Sequence, residues 1–281
     1  MKPEHAMDAA ASDCKVELRD VYKVFGAKPQ QAMDLLRQGQ DKQSVQQQTG
    51  CIVGLSGVNA CFPARQISCV MGLSGSGKST LVRHINRLID PTAGQVLVDG
   101  QDILRLDMAS LRQLRRHTIS MVFQAFGLLP HLTVQDNVAF GLEVRGDGRR
   151  AARDQALLWL ERVGLQDYAR NYPDELSGGM QQRVGLARAL AVDADILLMD
   201  EAFSALDPLI RYEMQDELLR LQQSLQKTII FITHDIDEAL RIGRHIVVLR
   251  EGRVEQSGTP AQIRNEPAND YVARFVNKPH V

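Results

Sequence analysis

Apolar and polar residues follow two different periods along this chain. The stretch CKVELRDVYKVFG (14–26) alternates apolar with polar residues, as a half-buried strand does, and IIFIT (229–233) is a short apolar run of strand length. ARDQALLWLERVG (152–164) and PLIRYEMQDELLRLQQSL (208–225) instead repeat their apolar residues at helical spacing. The two patterns take turns along most of the chain, which predicts strands that alternate with helices.

This alternation favours an α/β fold with a mainly parallel sheet. A helical block from Ala125 to about Val192 interrupts the alternation, and we expect an inserted helical subdomain there. Residues 1–13 are expected to form a flexible tail, and residues 14–281 a single domain.

The stretch 27–50 is polar and rich in glutamine. Pro29 can open a helix and Gly39 can close it, while Asp41 can cap a second short helix that stops at Gly50. We expect a helical pair inserted between two strands. A disordered glutamine-rich loop is the alternative interpretation.

Composition narrows the class of protein. The 281 residues are 44% hydrophobic and 24% charged with a net charge of −1, which is typical of a globular protein without a nucleic-acid-binding surface. No apolar stretch approaches the roughly 18 residues that span a bilayer, and the N-terminus lacks a signal-peptide core. We therefore expect a soluble protein whose membrane role comes through a partner. The cysteines fit no zinc spacing and are expected to be reduced thiols: Cys14, Cys51, Cys61 and Cys69.

The sequence GLSGSGKST (72–80) follows an apolar strand and precedes a predicted helix, 81–89. It satisfies the pattern GxxxxGK[ST], in which glycines let several backbone N–H groups point at one anion while the helix start adds its positive dipole end. Lys78 would reach the β- and γ-phosphates of a nucleotide, and the Ser79 hydroxyl would bind Mg²⁺. The alternative is an ordinary glycine-rich turn. The predicted nucleotide-binding residues are Gly72, Leu73, Ser74, Gly75, Ser76, Gly77, Lys78, Ser79 and Thr80.

Two carboxylates end the apolar strand ILLMDE (196–201). Ligands bind at the carboxyl ends of strands in open α/β sheets, and charges there are costly without a function or a partner. Asp200 fits a Mg²⁺-binding role, and Glu201 would polarise or deprotonate an attacking water. The alternative is a helix-capping acidic pair.

Two further polar residues also follow apolar strands. Gln124 ends ISMVFQ (119–124) and could reach the metal or the water, while His234 ends FITH (231–234) and could hydrogen-bond a γ-phosphate. Each signal is weak alone, and a single histidine at such a position is more often structural.

A second candidate anion site occurs in DELSGGMQQR (174–183). Ser177, Gly178 and Gly179 stand directly before a helix-forming run, so that bare backbone N–H groups would be exposed at a helix start. One monomer has no evident need for two phosphate sites.

Taken together and in this order, these motifs, with SALD (204–207), resemble the ATP-binding subunits of ABC transporters. The resemblance covers the chain from about Lys15 to the C-terminus. It implies a P-loop NTPase core with a mainly parallel sheet, an antiparallel β subdomain and an inserted α-helical subdomain, with ATP and Mg²⁺ as cofactors.

The resemblance also implies why there are two anion sites. In this family two copies pair head to tail, so that Ser177, Gly178 and Gly179 would cover the ATP held by the partner copy. Phe25, in YKVFG, matches the aromatic residue that stacks on adenine, and Asp207 would lie at the dimer seam. Met180 departs from the glutamine that the family often has, which removes a polar side chain but no backbone contact.

A narrower resemblance is to the cassettes of quaternary-amine importers, which take up glycine betaine, proline betaine or choline. It rests on the 27–50 insert and on stretches such as NRLIDPTAGQVLVDG (86–100), DEAFSALDPLIRYEMQDEL (200–218) and NEPANDYV (265–272). The resemblance implies an integral membrane permease and a periplasmic or lipid-anchored substrate-binding protein as partners, at the cytoplasmic face of a bacterial inner membrane. Many relatives continue into a pair of CBS regulatory modules, and no such domain is expected here.

The helical block also begins with a candidate contact surface for the permease. Its apolar side chains would form a groove for a cytoplasmic helix of the membrane subunit, or would pack the core of the block itself. These residues are Phe126, Leu128, Leu129 and Leu132.

Two other functions remain open. An ABC ATPase that acts on DNA ends or ribosomes is disfavoured, because the chain has no sustained heptads, one cassette and a near-neutral charge, so no nucleic-acid partner is expected. A transporter for an amino acid or another cation stays possible, because the cargo would be bound by other subunits.

Overall fold

The structure is a computed structural model that describes residues 14–124, 127–204 and 206–276. The predicted tail 1–13 lies outside the described residues, as do Ala125 and Phe126. The described residues separate into two compact units, the first within 14–106 and 233–276 and the second within 107–232. The single domain over residues 14–281, with a helical subdomain at about 125–192, stays a prediction.

The described residues contain ten strands and eleven α-helices. The strands are β1 (Cys14–Phe25), β2 (Ile52–Pro63), β3 (Ile67–Met71), β4 (Ala93–Val98), β5 (Gln101–Asp102), β6 (Ile119–Val122), β7 (Ile196–Asp200), β8 (Thr228–Thr233), β9 (His245–Arg250) and β10 (Arg253–Gly258). The helices are α1 (Pro29–Arg37), α2 (Lys42–Thr49), α3 (Lys78–Ile85), α4 (Met108–Gln113), α5 (Val134–Arg145), α6 (Arg149–Arg162), α7 (Gly178–Ala191), α8 (Pro208–Leu225), α9 (Ile236–Ile242), α10 (Pro260–Asn265) and α11 (Asp270–Val276).

The first unit has two kinds of strand pairing. Strands β2, β1, β4 and β5 lie side by side in that order and are antiparallel. Strand β3 pairs in parallel with β9, which turns back into the antiparallel β10. Every residue of β3 is buried, which suits a strand that is covered on both faces.

The 27–50 stretch forms the helices α1 and α2, which pack on the antiparallel sheet. Met33, Leu36 and Val45 are buried against Val24 and Val53 of β1 and β2. Burying each such side chain contributes about 1.5–3 kcal/mol relative to leaving it exposed. Asp41 caps α2 by accepting a hydrogen bond from the Ser44 N–H, as the sequence predicted.

The second unit combines parallel strands with a group of three helices. Strand β7 pairs in parallel with both β6 and β8, and Phe203 packs on Phe231 with 5.3 Å between the ring centroids. Helices α5, α6 and α7 contact one another and occupy most of the predicted helical block. The predicted α/β fold class is confirmed by these parallel pairs, by the separate antiparallel sheet and by the helices.

Two expectations need correction. The helix after the glycine loop was expected over 81–89, but α3 ends at Ile85, and Arg87 takes a left-handed backbone (φ 53°) that a helix cannot continue through. The four cysteines were expected to be reduced, but Cys14 and Cys61 form a disulfide between β1 and β2. The antiparallel pairing brings their Cα atoms to 5.6 Å despite 47 residues of separation, while Cys51 and Cys69 are buried thiols.

Candidate functional site

The glycine loop connects β3 to α3 in the first unit. Gly72, Gly75 and Gly77 all have positive φ, and Gly77 is the N-cap residue of α3. A Cβ atom at Gly72 would collide with the carbonyl oxygen of Leu249, so only glycine fits there. Leu73, Ser74 and Gly75 are exposed, which leaves the backbone of the loop open to a ligand.

Lys78 supplies the charge of this loop. Its side chain is only 5% exposed, and Nζ donates to the carbonyl oxygens of Gly72 at 2.9 Å and Leu73 at 3.2 Å. The first turn of α3 contains no acidic residue. An ammonium group, a helix start and an exposed glycine backbone therefore converge on one place, and this combination fits an anion such as a phosphate.

Ser79 and Thr80 occupy the first turn of α3 and are both half-buried. A cavity of about 430 Å³ lies beside the loop, and its volume is within the range of small-molecule sites. Its walls come from the loop and from the C-terminal part of the unit: Leu73, Ser74, Gly75, Ser76, Arg250, Glu251 and Tyr271.

Phe25 ends β1, and its side chain is 38% exposed. The Lys23 ammonium lies 5.0 Å from the ring centroid, and the ring rests so close to Gly54 that a Cβ there would lie 2.9 Å from Cε2. The ring thus packs against Gly54 of β2 and remains accessible for stacking.

In the second unit, the polar residues at the ends of β6 and β7 come together. Asp200 is the last residue of β7 and is only 3% exposed, while Glu201 is half-buried and has a left-handed backbone (φ 47°). Gln124 donates from Nε2 to Glu201 Oε2 at 3.4 Å. An amide, a buried carboxylate and an accessible carboxylate are oxygen donors of the kind that Mg²⁺ prefers.

The second candidate anion site is the start of α7. Ser177 is the N-cap residue and accepts a hydrogen bond from the Met180 N–H at 3.3 Å, and no acidic residue occurs in the first turn. Ser177 and Gly178 are exposed. A Cβ atom at Gly179 would lie 2.8 Å from Ile210 Cγ2, so the bare helix start fits closely against α8.

The remaining predicted residues have local roles as well. Asp207 is exposed and caps α8 by accepting a hydrogen bond from the Ile210 N–H at 3.1 Å. His234 is exposed and follows β8 directly, next to Asp235, which caps α9. The contacts that the structure gives bring Gln124 to Glu201, and the start of α7 to the helix that Asp207 caps.

The structure describes three of the four residues that were predicted to form a groove for the permease. Phe126 lies outside the described residues, and Leu128, Leu129 and Leu132 are half-buried. The buried Asn137 of α5 fixes this segment, because its side chain donates to the carbonyls of Leu129, Leu132 and Thr133 and accepts from the Leu129 N–H. The segment is therefore held to α5 by a fully paired buried amide.

Sequence reasoning missed the residues that support the glycine loop from far along the chain. The Leu249 carbonyl lies against Gly72, and the Gly252 N–H donates to the Ser76 carbonyl at 2.8 Å. The one local signal was the glycine of LREGRV (249–254), which is typical of a tight hairpin turn but does not indicate what the turn contacts.

Among the residues that the structure describes, no helix is both long and apolar enough to cross a membrane.

Comparison with known proteins agrees with this geometry. The ABC transporter family matches residues 55–204. The glycine betaine/proline betaine transport system ATP-binding protein ProV of Escherichia coli is 56% identical over 261 residues, which are 93% of this chain and 65% of that protein. The chain thus spans about two thirds of the length of this relative. The trimethylamine N-oxide transport system ATP-binding protein TmoW of Pelagibacter ubique is 48% identical over 267 residues, 95% of this chain and 78% of that protein.

A solved structure is also similar. It is a dimeric ATP-binding cassette in a post-hydrolysis state with bound ADP and Pi, and it has a TM-score of 0.73 at 33% identity. The similarity covers 87% of this chain and 98% of the cassette.

Proposed function

The chain belongs to the ABC transporter family, and we propose that it is the ATP-hydrolysing subunit of an importer. The cargo is a quaternary amine such as glycine betaine, proline betaine or choline, and it crosses through a separate membrane permease. The observation that carries the enzymatic part is the buried Lys78 at the start of α3, beside a loop whose exposed backbone can take a phosphate.

ATP is bound through the glycine loop, from Gly72 to Thr80. Lys78 neutralises the β- and γ-phosphates, the loop N–H groups donate to them, and the Phe25 ring stacks on the adenine. The Ser79 hydroxyl, the Gln124 amide oxygen and the Asp200 carboxylate are the groups that would hold Mg²⁺. When bound, the ion would balance the phosphate charge.

Hydrolysis depends on Glu201 as the group that takes a proton from the attacking water. The hydrogen bond from Gln124 supports this role, because it fixes the direction of the carboxylate. The exposed His234 hydrogen-bonds the γ-phosphate and keeps the water and Glu201 in register.

Two copies of the chain form the working unit. Ser177, Gly178 and Gly179 present the N-terminus of α7 to the nucleotide of the partner copy, and Asp207 lies at the seam. The absence of acidic residues from the first turn of α7 supports this, since a carboxylate there would repel a phosphate. The dimeric state of the similar cassette supports the same arrangement.

The importer has further subunits. We infer an integral permease and a periplasmic or lipid-anchored substrate-binding protein, with this chain at the cytoplasmic face of a bacterial inner membrane. The half-buried Leu128, Leu129 and Leu132 are candidates for the permease contact, and the names of the relatives support the cargo class.

Lys78→Ala tests the proposal, with the exposed Lys28→Ala as its control. Cells that express the whole transporter are supplied with labelled glycine betaine, choline or an amino acid, and uptake is measured. ATP hydrolysis is measured separately on the purified chain. The proposal predicts that Lys78→Ala abolishes both hydrolysis and quaternary-amine uptake, while the control keeps them. Uptake of the amino acid alone would contradict the cargo, and hydrolysis by Lys78→Ala would contradict the site.

A further inference from the structure

The turn between β9 and β10 is hydrogen-bonded to the glycine loop on one side and to β2 on the other. The Gly252 N–H donates to the carbonyl oxygen of Ser76 at 2.8 Å, and the Gly252 carbonyl accepts from the Ser56 N–H at 2.8 Å. Both backbone groups of one residue are therefore used, one on each side. A side chain at Gly252 would collide with the carbonyl of Gly54, so only glycine lets the turn lie this close to β2.

The contact with Ser76 has a direct consequence for phosphate binding. The carbonyl of Ser76 and the N–H of Gly77 belong to one rigid peptide plane. A hydrogen bond that fixes the carbonyl also fixes the direction of the Gly77 N–H, which is one of the loop donors. The position of the turn therefore sets how well the loop is arranged for an anion.

The turn itself is conformationally costly. Arg250 pairs with Arg253, so the hairpin loop has two residues, and both Glu251 (φ 48°) and Gly252 (φ 71°) have positive φ, as in a type I′ turn. Glu251 is not a glycine, and the left-handed backbone is unfavourable for it. Surrounding contacts must hold this conformation in place.

One of these contacts comes from the inserted helices. Lys42 is the first residue of α2, and its Nζ lies 2.9 Å from the place where a Cβ of Gly252 would be. Burial lowers the pKa of Lys42, and the nearby carboxylate of Glu251 opposes that shift. The positive charge of Arg253 lowers the pKa of Lys42 further. The Lys42 ammonium thus lies against the backbone of the turn at Gly252 and in the field of the Glu251 carboxylate, which itself lies 3.9 Å from Arg250 Nε.

We propose that Lys42 is a positioning residue for the phosphate-binding loop, and that through it the inserted helices set the affinity of the loop for nucleotide. Its ammonium holds the Glu251–Gly252 turn, the turn holds the Ser76 carbonyl, and the peptide plane carries that constraint to the Gly77 N–H. This inference rests on the proposed nucleotide site and gives the 27–50 insert a role in it.

The test is calorimetric titration of the full chain with Mg-ADP, alongside the KM and kcat for ATP hydrolysis. Lys42→Met removes the charge while it keeps a side chain of similar length, and Lys28→Met is the matched control on the exposed end of the same insert. We expect Lys42→Met to raise Kd and KM about three- to fivefold, as the loss of a partly exposed charge contact would, with kcat within about twofold.

Two further variants separate positioning from simple loss of structure. Lys42→Arg keeps the charge and is expected to restore most of the affinity. Adding Glu251→Gln to Lys42→Met is expected to weaken binding no further, because the two residues act as one unit.

The outcomes are distinct. Wild-type Kd in Lys42→Met, an equal loss in Lys28→Met, or a loss that Lys42→Arg does not restore would each overturn the inference. A wild-type chain that binds no Mg-ADP would instead overturn the proposed function.

Discussion

Gln124 donates its side-chain amide to the carboxylate of Glu201, with 3.4 Å between Nε2 and Oε2. The register of the parallel strands explains this pairing. Val122 of β6 lies opposite Met199 of β7, and each of the two polar residues follows its strand residue by two positions. Neighbouring parallel strands thus deliver an amide and a carboxylate to the same edge.

The pairing predicts a positioning role for Gln124. Gln124→Ala should lower the rate of ATP hydrolysis about tenfold, because Glu201 loses the partner that directs it, and a general base contributes about 10²–10⁴-fold in total. Affinity for ADP without Mg²⁺, measured by titration, should stay near wild type, because Gln124 is proposed to contact the metal and not the nucleotide. The exposed Gln155→Ala on α6 is the control. An unchanged rate in Gln124→Ala would show that the hydrogen bond has no catalytic importance.

Much of this edge could be predicted from the sequence. An apolar strand that ends in a polar or charged residue is visible locally, and the sequence therefore predicts where Gln124, Asp200 and Glu201 lie. The left-handed backbone of Glu201 had no local signal, because no glycine or turn motif marks that position.

A side chain added at Gly179 should clash with α8 at the start of α7. Gly179→Ala should destabilise the chain by about 1–3 kcal/mol, because its Cβ would lie 2.8 Å from Ile210 Cγ2 and one of the two helices must shift. Thermal unfolding should show a fall in Tm of several degrees.

The double variant Gly179→Ala with Ile210→Ala is the matched control for that clash. Removing Cγ2 gives the new methyl group room, so the two changes together should cost less than the sum of the single changes. Strictly additive losses would mean that this contact is not what requires glycine.

The buried side chain of His84 should make the free energy of unfolding depend on pH. Burial lowers the pKa of this fully buried histidine of α3 from 6.5 to about 4, although its Nδ1 hydrogen bond to the Thr80 carbonyl at 2.6 Å opposes the shift. The unfolded chain therefore binds more protons in this range. The contribution of His84 is fully present above pH 6.5 and is lost as the pH falls toward 4, by at most about 3 kcal/mol.

Urea unfolding of wild type and His84→Gln between pH 4 and 8 measures this contribution. The free energy of unfolding of the variant should fall less steeply between pH 6.5 and 4, while the exposed His131→Gln should follow wild type. Parallel curves for wild type and His84→Gln would contradict the assignment.

Local signals explain which parts of the fold were predictable. Pro29 at the start of α1, Asp41 as the cap of α2 and Gly50 at its end act within a few residues, and all three lie where the sequence placed them. The Cys14–Cys61 pair and the contact of Leu249 with Gly72 depend on strand pairing between distant segments. Periodicity and capping motifs carry no information on such contacts.

The most direct test of the central claim is to trap the Glu201→Gln variant with ATP and Mg²⁺ in its own membranes, and to measure the mass and composition of what purifies with it. The account predicts a dimer of this chain that retains ATP with little hydrolysis, together with a multi-span permease and a protein that binds quaternary amines. Normal turnover by the variant, or purification with ribosomes or DNA in place of a permease, would contradict it.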